Sequence, residues 1–219
     1  SQIRWARCCS AERRPRHVIH VRWMAPSIVV DIQNDFCEGG ALGVTGGNAV
    51  AAAINALPVD YPVVVATRDY HVDPGSHFSD EPDFVDSWPP HCRVGTPGVD
   101  FHPDLEIAPM QDVFSKGEYS AAYSGFEGVD ADGTGLSEWL TARGVTDVDV
   151  VGIATDHCVR ATAVDAADAG FTTRVLLDYT SAVAETTTAT ALDALRDAGV
   201  ELVGTLTHTG IPAEDTAQR

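Results

Sequence analysis

Residues 148–170 read VDVVGIATDHCVRATAVDAADAG and join an apolar, β-rich run to a helical pattern. The run is apolar on both faces, which predicts a strand buried between two layers of helices. The helical pattern ends at Gly170, and glycine is a usual signal for the C-terminus of a helix. A buried strand that leads into a helix in this way is the repeating unit of a parallel sheet.

The same unit recurs along the chain. We predict strands at 27–31, 62–67, 112–115, 147–153, 172–178 and 200–204, and helices at 47–57, 135–144, 156–170 and 186–199. Three of these helices end in glycine just before the next strand. The alternation predicts an α/β fold, a three-layer α/β/α sandwich around a mainly parallel six-stranded sheet.

The charge of the chain is divided unevenly. The formal net charge is -18, yet residues 1–23 hold six arginines and one acidic residue, which leaves 8 of 14 basic and 31 of 32 acidic residues from Met24 onward. A body this acidic repels phosphate backbones, so we expect no nucleic-acid partner. No apolar run reaches the roughly 18 residues of a membrane-spanning helix, so we expect no membrane partner either.

Three segments follow from this distribution. Residues 1–23 form a basic extension without the apolar stretch of a secretory signal, and Met24 stands just before the first strand. We therefore expect translation to start at Met24, with the extension either not native or disordered. One domain is predicted over residues 24–206, followed by a tail at 207–219. The five cysteines suggest no disulfide scaffold, which favours reduced thiols and a cytoplasmic location.

Cys158 has three possible roles: core residue, metal ligand or nucleophile. We predict that Thr155 or Asp156 caps the helix and that Cys158 lies in its first turn. Free N–H groups and the helix dipole there lower the pKa of a thiol from its usual value of about 8.5. On position alone, a buried small hydrophobic residue explains Cys158 equally well.

Two further side chains follow predicted strands at the same edge of the sheet. Lys116 is the only lysine beside thirteen arginines, and its position suggests a need for a compact ammonium group. Asp31 ends the first strand, where a carboxylate suits acid–base chemistry, although a cap is its commoner role. Together with Cys158 they would supply a nucleophile, a stabilising cation and a proton shuttle.

The long segment at 69–110 contains no helical period and many prolines and glycines. Loops of this length are usually functional or disordered, and its tryptophan and histidines favour a function. Four of its side chains form a donor set suited to zinc, iron or manganese: Asp69, His71, His77 and His91. The alternative is a chance cluster of surface histidines.

Five longer motifs occur in order along the chain. They are VDIQNDFCEGGALGVTGG (30–47), ATRDYHVDPGSHFS (66–79), SWPPHCRVGTPGVDFHP (87–103), VFSKGEYSAAYSGFEG (113–128) and GIATDHCVRATAVDA (152–166). Together they resemble the nicotinamidase/pyrazinamidase family, within the isochorismatase-like cysteine hydrolases. The resemblance runs from about Ile28 to Val203 and excludes the N-terminal extension and the last dozen residues.

The resemblance implies hydrolysis of nicotinamide to nicotinate and ammonia, a step of NAD salvage and pyridine nucleotide biosynthesis, and deamidation of pyrazinamide. It implies that Asp31, Lys116 and Cys158 are catalytic, and that one divalent metal ion is bound by Asp69, His71, His77 and His91. It implies substrate-binding residues at Phe36, Trp88, Tyr123, Ile153, Ala154 and His157. It also implies a cis bond between Ile153 and Ala154, and an oxyanion hole formed by the N–H groups of Ala154 and Cys158.

Two other functions are open on sequence alone. A related amidohydrolase acting on a carbamoyl or ureido compound would share the fold but would not need the metal cluster. A non-catalytic metal-binding protein would explain the histidines and leave Asp31, Lys116 and Cys158 unexplained, whereas an isochorismatase would not need the cysteine. We expect a small-molecule partner, nicotinamide, and the sequence is compatible with either a monomer or a homo-oligomer.

Overall fold

The structure is a computed structural model that describes residues 25–57 and 61–207. The predictions for the extension at 1–23 and for the tail after residue 207 lie outside the described residues. These residues contain six strands and four α-helices. Their bounds are β1 Ser27–Val30, α1 Gly47–Ile54, β2 Val64–Asp69, β3 Asp112–Lys116, α2 Leu136–Ala142, β4 Asp147–Ile153, α3 Arg160–Asp168, β5 Thr172–Ser181, α4 Glu185–Asp197 and β6 Glu201–Val203.

The six strands form one parallel sheet in the order β3–β2–β1–β4–β5–β6. The chain builds outward from β1 to β3 and then outward on the other side from β4 to β6. The direction of winding therefore changes between β1 and β4. Ligands of such sheets bind beyond the carboxyl ends of the strands at this switch point.

Alternate side chains of the strands enter two separate cores. On β1, Ile28 and Val30 lie in a core that includes residues of α2, α3 and α4, whereas Val29 lies in a core that includes residues of α1. Helices thus cover both faces of the sheet. This confirms the predicted α/β/α sandwich and explains why the strands are apolar on both faces.

Three strands, β2, β3 and β5, extend beyond their predicted ends because polar residues still pair with neighbouring strands. Arg68 and Asp69 suggested the end of β2, yet they pair with Ser115 and Lys116 of β3. On β5, the register shifts after Val175, and pairing with β4 resumes at Thr180. β4 has its predicted bounds, and the other strand and helix bounds differ from the predicted ones by a few residues at their ends.

The segment between β2 and β3 contains no α-helix, as predicted. It is built from the two 3₁₀ turns Gly75–His77 and Pro97–Val99 and from isolated bridges such as His71 to Arg93 and Phe78 to Trp88. These pairings fold the segment over the carboxyl edge of the sheet. Within the described ranges, no helix has the length and apolar character needed to cross a membrane.

Candidate active site

Asp31, Lys116 and Cys158 lie together at the carboxyl edge of the sheet. The ammonium nitrogen of Lys116 lies 2.9 Å from Oδ2 of Asp31 and 3.7 Å from Sγ of Cys158. Asp31 and Lys116 are almost fully excluded from solvent, and Cys158 is 8% exposed. The structure therefore brings the three predicted catalytic side chains into one buried cluster beside the switch point.

Asp31 has an unusual backbone conformation for its position just after β1. Its φ is 49°, in the left-handed region that aspartate tolerates better than most residues. Its Oδ1 accepts a hydrogen bond of 2.6 Å from the Thr67 hydroxyl group. Its Oδ2 lies 2.9 Å from the ammonium nitrogen of Lys116. A carboxylate oxygen has two lone pairs, so one remains for a proton.

Lys116 also connects this cluster to the predicted metal ligands. It forms an ion pair with Oδ1 of Asp69, the residue opposite it in the β2–β3 pairing, and donates to the Ala122 carbonyl at 3.2 Å. One ammonium group thus faces two carboxylates and a thiol. A planar guanidinium could not occupy this position with the same contacts, which explains the single lysine.

Burial has the largest effect on the pKa of Asp31 and of Cys158 in this cluster. Burial raises the pKa of Asp31 despite the opposing effect of Lys116, and burial likewise raises the pKa of the Cys158 thiol well above its usual value. Burial would lower the pKa of Lys116, but Asp31 and Asp69 raise it well above the usual value. The prediction of a lowered thiol pKa was wrong, because desolvation, together with Asp31 and Asp69, outweighs the lowering effect of Lys116.

The turn that carries Cys158 is not an ordinary helix start. Residues Thr155–Val159 form a π-helical turn, and Ala154, which precedes it, makes no side-chain cap. The predicted cap by Thr155 or Asp156 was wrong. The Asp156 carboxylate instead accepts hydrogen bonds from the N–H groups of Val183 and Ala184 and from the Thr187 hydroxyl. The predicted cis bond between Ile153 and Ala154 is present.

The three predicted histidine ligands converge in the loop above β2 and β3. His71, His77 and His91 are buried, and one ligand atom of each lies within 4.8 Å of the others. His71 Nδ1 contacts the Gly117 carbonyl at 2.5 Å and His91 Nδ1 contacts the Pro89 carbonyl at 2.8 Å. These contacts favour protonated Nδ1 atoms and leave both Nε2 atoms as electron-pair donors, as in many metal sites.

Two observations indicate that a cation fits among these rings. His71 Nε2 and His77 Nδ1 are buried without a hydrogen-bond partner in the described part of the chain. Burial, with its neighbours His91 and His71, lowers the pKa of His77 to about 4, so its ring is neutral at pH 7. Unpaired neutral nitrogens in a buried site are the donors that a divalent ion requires.

Asp69 completes the donor set. Its Oδ2 lies 3.4 Å from His71 Nε2 and 3.6 Å from His91 Nε2. Gln33 fixes its backbone by donating to the Asp69 carbonyl and accepting from its N–H group. Gly117 allows the His71 ring to approach, since a Cβ at this glycine would lie 2.6 Å from the ring.

A cavity of about 410 Å³ opens above these groups. Its lining includes all six residues predicted to bind substrate: Phe36, Trp88, Tyr123, Ile153, Ala154 and His157. Cys158, Asp69, His77 and His91 also line it, whereas Asp31, Lys116 and His71 lie behind the lining residues. Trp88 donates from Nε1 to the Tyr123 hydroxyl at 2.9 Å and packs edge-on against His157.

Sequence reasoning missed the roles of several residues that build this site. Thr67 holds Asp31, Gln33 holds Asp69, and Asp156 holds the turn of Cys158. Gln33, Thr67 and Asp156 all stand within the motifs quoted above, but a buried polar residue is not distinguishable from a surface one in a single sequence. Phe84, on the loop before Trp88, also lines the cavity and carried no recognisable signal.

The fold and the cysteine-centred site define a class of hydrolase, and comparison with known families agrees. The family described as Isochorismatase domain matches residues 27–206. The chain belongs to this isochorismatase family. The resemblance deduced from the sequence motifs is thereby confirmed.

Individual relatives narrow the assignment to the nicotinamidases. A nicotinamidase/pyrazinamidase of Mycobacterium tuberculosis is 60% identical over 183 residues, which cover 82% of this chain and 98% of that protein. A pyrazinamidase of Pyrococcus horikoshii, solved in complex with zinc, is 34% identical with a TM-score of 0.70 and covers 83% of this chain and 99% of its own. The L. infantum protein PnC1, solved in complex with nicotinate, is 33% identical with a TM-score of 0.73 and covers 86% of this chain and 96% of its own.

Proposed function

We propose that this protein hydrolyses nicotinamide to nicotinate and ammonia, that it deamidates pyrazinamide in the same way, and that Cys158 is its nucleophile. The observation that carries the proposal is the position of Lys116, whose ammonium group lies between Asp31, Asp69 and Cys158. Lys116 thus connects two groups of residues. Cys158 and Asp31 are a thiol and a carboxylate suited to amide cleavage, and Asp69 belongs to the histidine cluster that could bind a ring nitrogen. The relatives of known activity in this family support the same reaction.

The first half-reaction forms a thioester. Asp31 accepts the thiol proton as the Cys158 sulfur attacks the carboxamide carbon. A resting thiol with a raised pKa suits this order, since the proton leaves the sulfur only as the new bond forms. The protonated Asp31 then gives the proton to the amide nitrogen, the C–N bond breaks, and ammonia leaves.

The second half-reaction releases nicotinate. A water molecule gives a proton to Asp31 and attacks the thioester carbon, and the C–S bond breaks. The proton returns to the Cys158 sulfur, so the enzyme regains its starting state. In both halves Lys116 offsets the negative charge shared by Asp31 and the sulfur.

The N–H groups of Ala154 and Cys158 are proposed to donate to the oxygen of the tetrahedral intermediates. This role is supported by the π-helical turn that contains Cys158 and by the presence of both Ala154 and Cys158 in the cavity lining. One such donor typically contributes about 2.7–4 kcal/mol to the stability of the transition state. Phe36, Trp88 and Tyr123 are proposed to enclose the flat pyridine ring, and Ile153, Ala154 and His157 to bound it near the sulfur.

The residues that would hold a divalent ion are Asp69, His71, His77 and His91, and we propose zinc, iron or manganese as the ion. When bound, the ion would supply a Lewis acid for the ring nitrogen of the substrate. The zinc complex of the P. horikoshii relative supports a divalent metal in this family. We also keep the cytoplasm as the proposed location, where nicotinamide hydrolysis would serve NAD salvage.

Ammonia release from nicotinamide tests the proposal directly. Purified protein loaded with zinc, iron or manganese is incubated with nicotinamide, pyrazinamide, a carbamoyl compound and a ureido compound, and both ammonia and the carboxylate product are quantified. We expect turnover of the first two only. Turnover confined to the carbamoyl or ureido compound would assign the chain to a related amidohydrolase, and no turnover with any amide would overturn the proposed function.

A further inference from the structure

Phe84 lies at the mouth of the cavity in a conformation that is rare for a bulky residue. It is 58% exposed, yet it lines the cavity that contains Cys158. Its φ is 58°, in the left-handed region that favours glycine over aromatic residues. An exposed aromatic ring held in an unfavourable backbone conformation indicates a role beyond packing.

A tight turn fixes the position of this ring. The Asp83 Oδ1 atom accepts hydrogen bonds from the N–H groups of Val85, Asp86 and Ser87 and from the Ser87 hydroxyl. The N–H group of Phe84 donates to the Ser87 carbonyl at 3.0 Å. These bonds close a compact loop around the backbone of Phe84, so its side chain projects from a defined point.

The Phe84 ring is the outermost member of an aromatic wall. It packs edge-on against Trp88, with ring centroids 6.0 Å apart and an interplanar angle of 86°. Trp88 in turn contacts His157 and Tyr123 next to the floor of the cavity. The wall therefore runs from buried residues near Cys158 to the exposed ring at the mouth.

The positions of the carboxamide group and the ring nitrogen determine which atom of a bound pyridine carboxamide faces the mouth of the cavity. The choice of this ligand rests on the proposed function. Its carboxamide carbon must reach Cys158, and its ring nitrogen is directed to the histidine cluster; both lie on the buried floor. The carbon between these two positions, C2, then also faces the floor. C5 is opposite C2 and is the one ring carbon adjacent to neither anchored position, so it points toward the mouth.

We infer that Phe84 determines specificity by limiting the size of the substituent that a substrate can carry at C5. The substrate class of the site would then be 3-pyridinecarboxamides that are unsubstituted or carry a small group at this carbon. Removing the Phe84 ring opens the outer part of the cavity toward solvent, where a larger substituent can extend. The floor, with Cys158 and the histidines, is unchanged by this substitution.

Competing substrates test the inference. The kcat/KM values of nicotinamide and 5-phenylnicotinamide are measured for the metal-loaded wild type, Phe84→Ala and Phe84→Leu. We expect the ratio of 5-phenylnicotinamide to nicotinamide to rise by about tenfold or more in Phe84→Ala, the size of effect that a steric change in an apolar pocket gives. Phe84→Leu keeps a bulky side chain at the same φ, and we expect a smaller rise.

Binding gives a second readout that does not depend on turnover. The dissociation constants of nicotinate and 5-phenylnicotinate, followed by Trp fluorescence, should shift in the same direction in Phe84→Ala. Val85→Ala is the matched control, since Val85 is 70% exposed and is not among the described residues that line the cavity. We expect wild-type ratios in this variant.

The outcomes separate the inference from the proposed function. An unchanged ratio in Phe84→Ala, or an equal rise in Val85→Ala, overturns the role of Phe84 while leaving nicotinamide hydrolysis intact. Efficient hydrolysis of 5-phenylnicotinamide by the wild type also overturns it. If the wild type does not hydrolyse nicotinamide, the proposed function fails and the inference fails with it.

Discussion

The ammonium group of Lys116 lies 2.9 Å from the carboxylate of Asp31, and both side chains are almost fully buried. Removing two charges from water costs several kcal/mol per ion, which their attraction offsets only in part. A pair of apolar residues would therefore stabilise the fold at least as well. The pair is better explained by the chemistry of the adjacent Cys158 than by stability.

Lys116→Arg should lose most activity although it keeps the positive charge. The planar guanidinium is larger than an ammonium group and cannot contact Asp31, Asp69 and the Cys158 sulfur from the same point. We expect kcat/KM for nicotinamide to fall by about a hundredfold or more, the range typical of a lost transition-state contact. Near-normal turnover would mean that Lys116 acts only as a remote positive charge.

The control for Lys116→Arg is a cationic substitution elsewhere. Arg196→Lys changes an exposed residue that pairs with Asp193 on α4, and we expect wild-type kinetics.

Lys116→Met tests the ion cluster further, because it leaves Asp31 and Asp69 buried without their shared cation. Urea unfolding should show that the free energy of unfolding falls by about 3–5 kcal/mol, as for other buried ion pairs that lose one partner.

Cys158→Ala should abolish nicotinamide hydrolysis and leave the far-UV spectrum and metal content unchanged. The reason is that no other described thiol reaches the cavity: Cys37 and Cys92 are both fully buried elsewhere. Substantial residual turnover in Cys158→Ala would rule out a covalent mechanism through this thiol.

Alkylation by iodoacetamide provides the companion measurement for Cys158. The reagent is small and carries a carboxamide, so it can enter a site built for an amide. Mass spectrometry of partially labelled wild type should find Cys158 modified before Cys37 and Cys92. Nicotinate should slow the labelling of Cys158 selectively, since product and reagent would compete for the same cavity.

Sequence patterns predicted the sheet well because burial on both faces leaves a strong apolar signal in each strand. The same patterns could not predict the ends of β2 and β5, where polar residues such as Asp69 and Thr180 continue the pairing. The positions of Asp31, Lys116 and Cys158 could be deduced because parallel strands end at one edge. Their protonation could not, because it depends on burial that only the folded chain creates.

The metal-binding and substrate-binding residues could also be predicted only in part from the sequence. The donor types and spacing of His71, His77 and His91 indicated a metal site, and the folded loop brings their ligand atoms within 4.8 Å. The salt bridge between Asp69 and Lys116 was not foreseeable, since the two residues meet only through the β2–β3 register. The role of Phe84 could not be predicted from the sequence either, because its exposure and left-handed φ are properties of the loop rather than of its residue type.

Removing the metal should separate substrate alignment from the reactivity of the thiol. We expect chelation, or His71→Ala, to lower nicotinamide hydrolysis sharply and to leave the rate of Cys158 alkylation largely unchanged. Benzamide has no ring nitrogen and should be a poor substrate with or without metal. Stopped assays on metal-free and reloaded protein give the rate of nicotinamide hydrolysis and the rate of Cys158 alkylation. The control is Val72→Ala, since Val72 is next to His71 but 43% exposed.

Two results would contradict this division of roles. Hydrolysis of benzamide at the nicotinamide rate would mean that the ring nitrogen is not an anchor. Loss of Cys158 alkylation in metal-free protein, with its far-UV spectrum unchanged, would mean that the ion controls the thiol itself.

Asp156 should stabilise the fold in a pH-dependent manner, because its buried carboxylate ties the turn of Cys158 to the segment before α4. Burial alone would raise its pKa, but the contact with His157 and the hydrogen bonds from Thr187 and the Val183 N–H group lower it to about 2. The folded-state pKa thus lies below the unfolded value of about 3.8, so the ionised group stabilises the folded state by about 2 kcal/mol at neutral pH. This contribution is complete above the unfolded pKa and is lost as the pH falls toward about 2.

Asp156→Asn tests this linkage together with the position of the nucleophile. Urea unfolding should show a stability difference from wild type that is constant between about pH 7 and 5 and shrinks below about pH 4. Asp193→Asn, at an exposed aspartate on α4, should show little difference at any pH.

Because Val183 and Ala184 line the cavity beside Cys158, Asp156→Asn should also show a lower kcat and slower alkylation of Cys158, with a smaller change in KM. A pH-independent stability difference with wild-type kcat would mean that Asp156 serves packing alone.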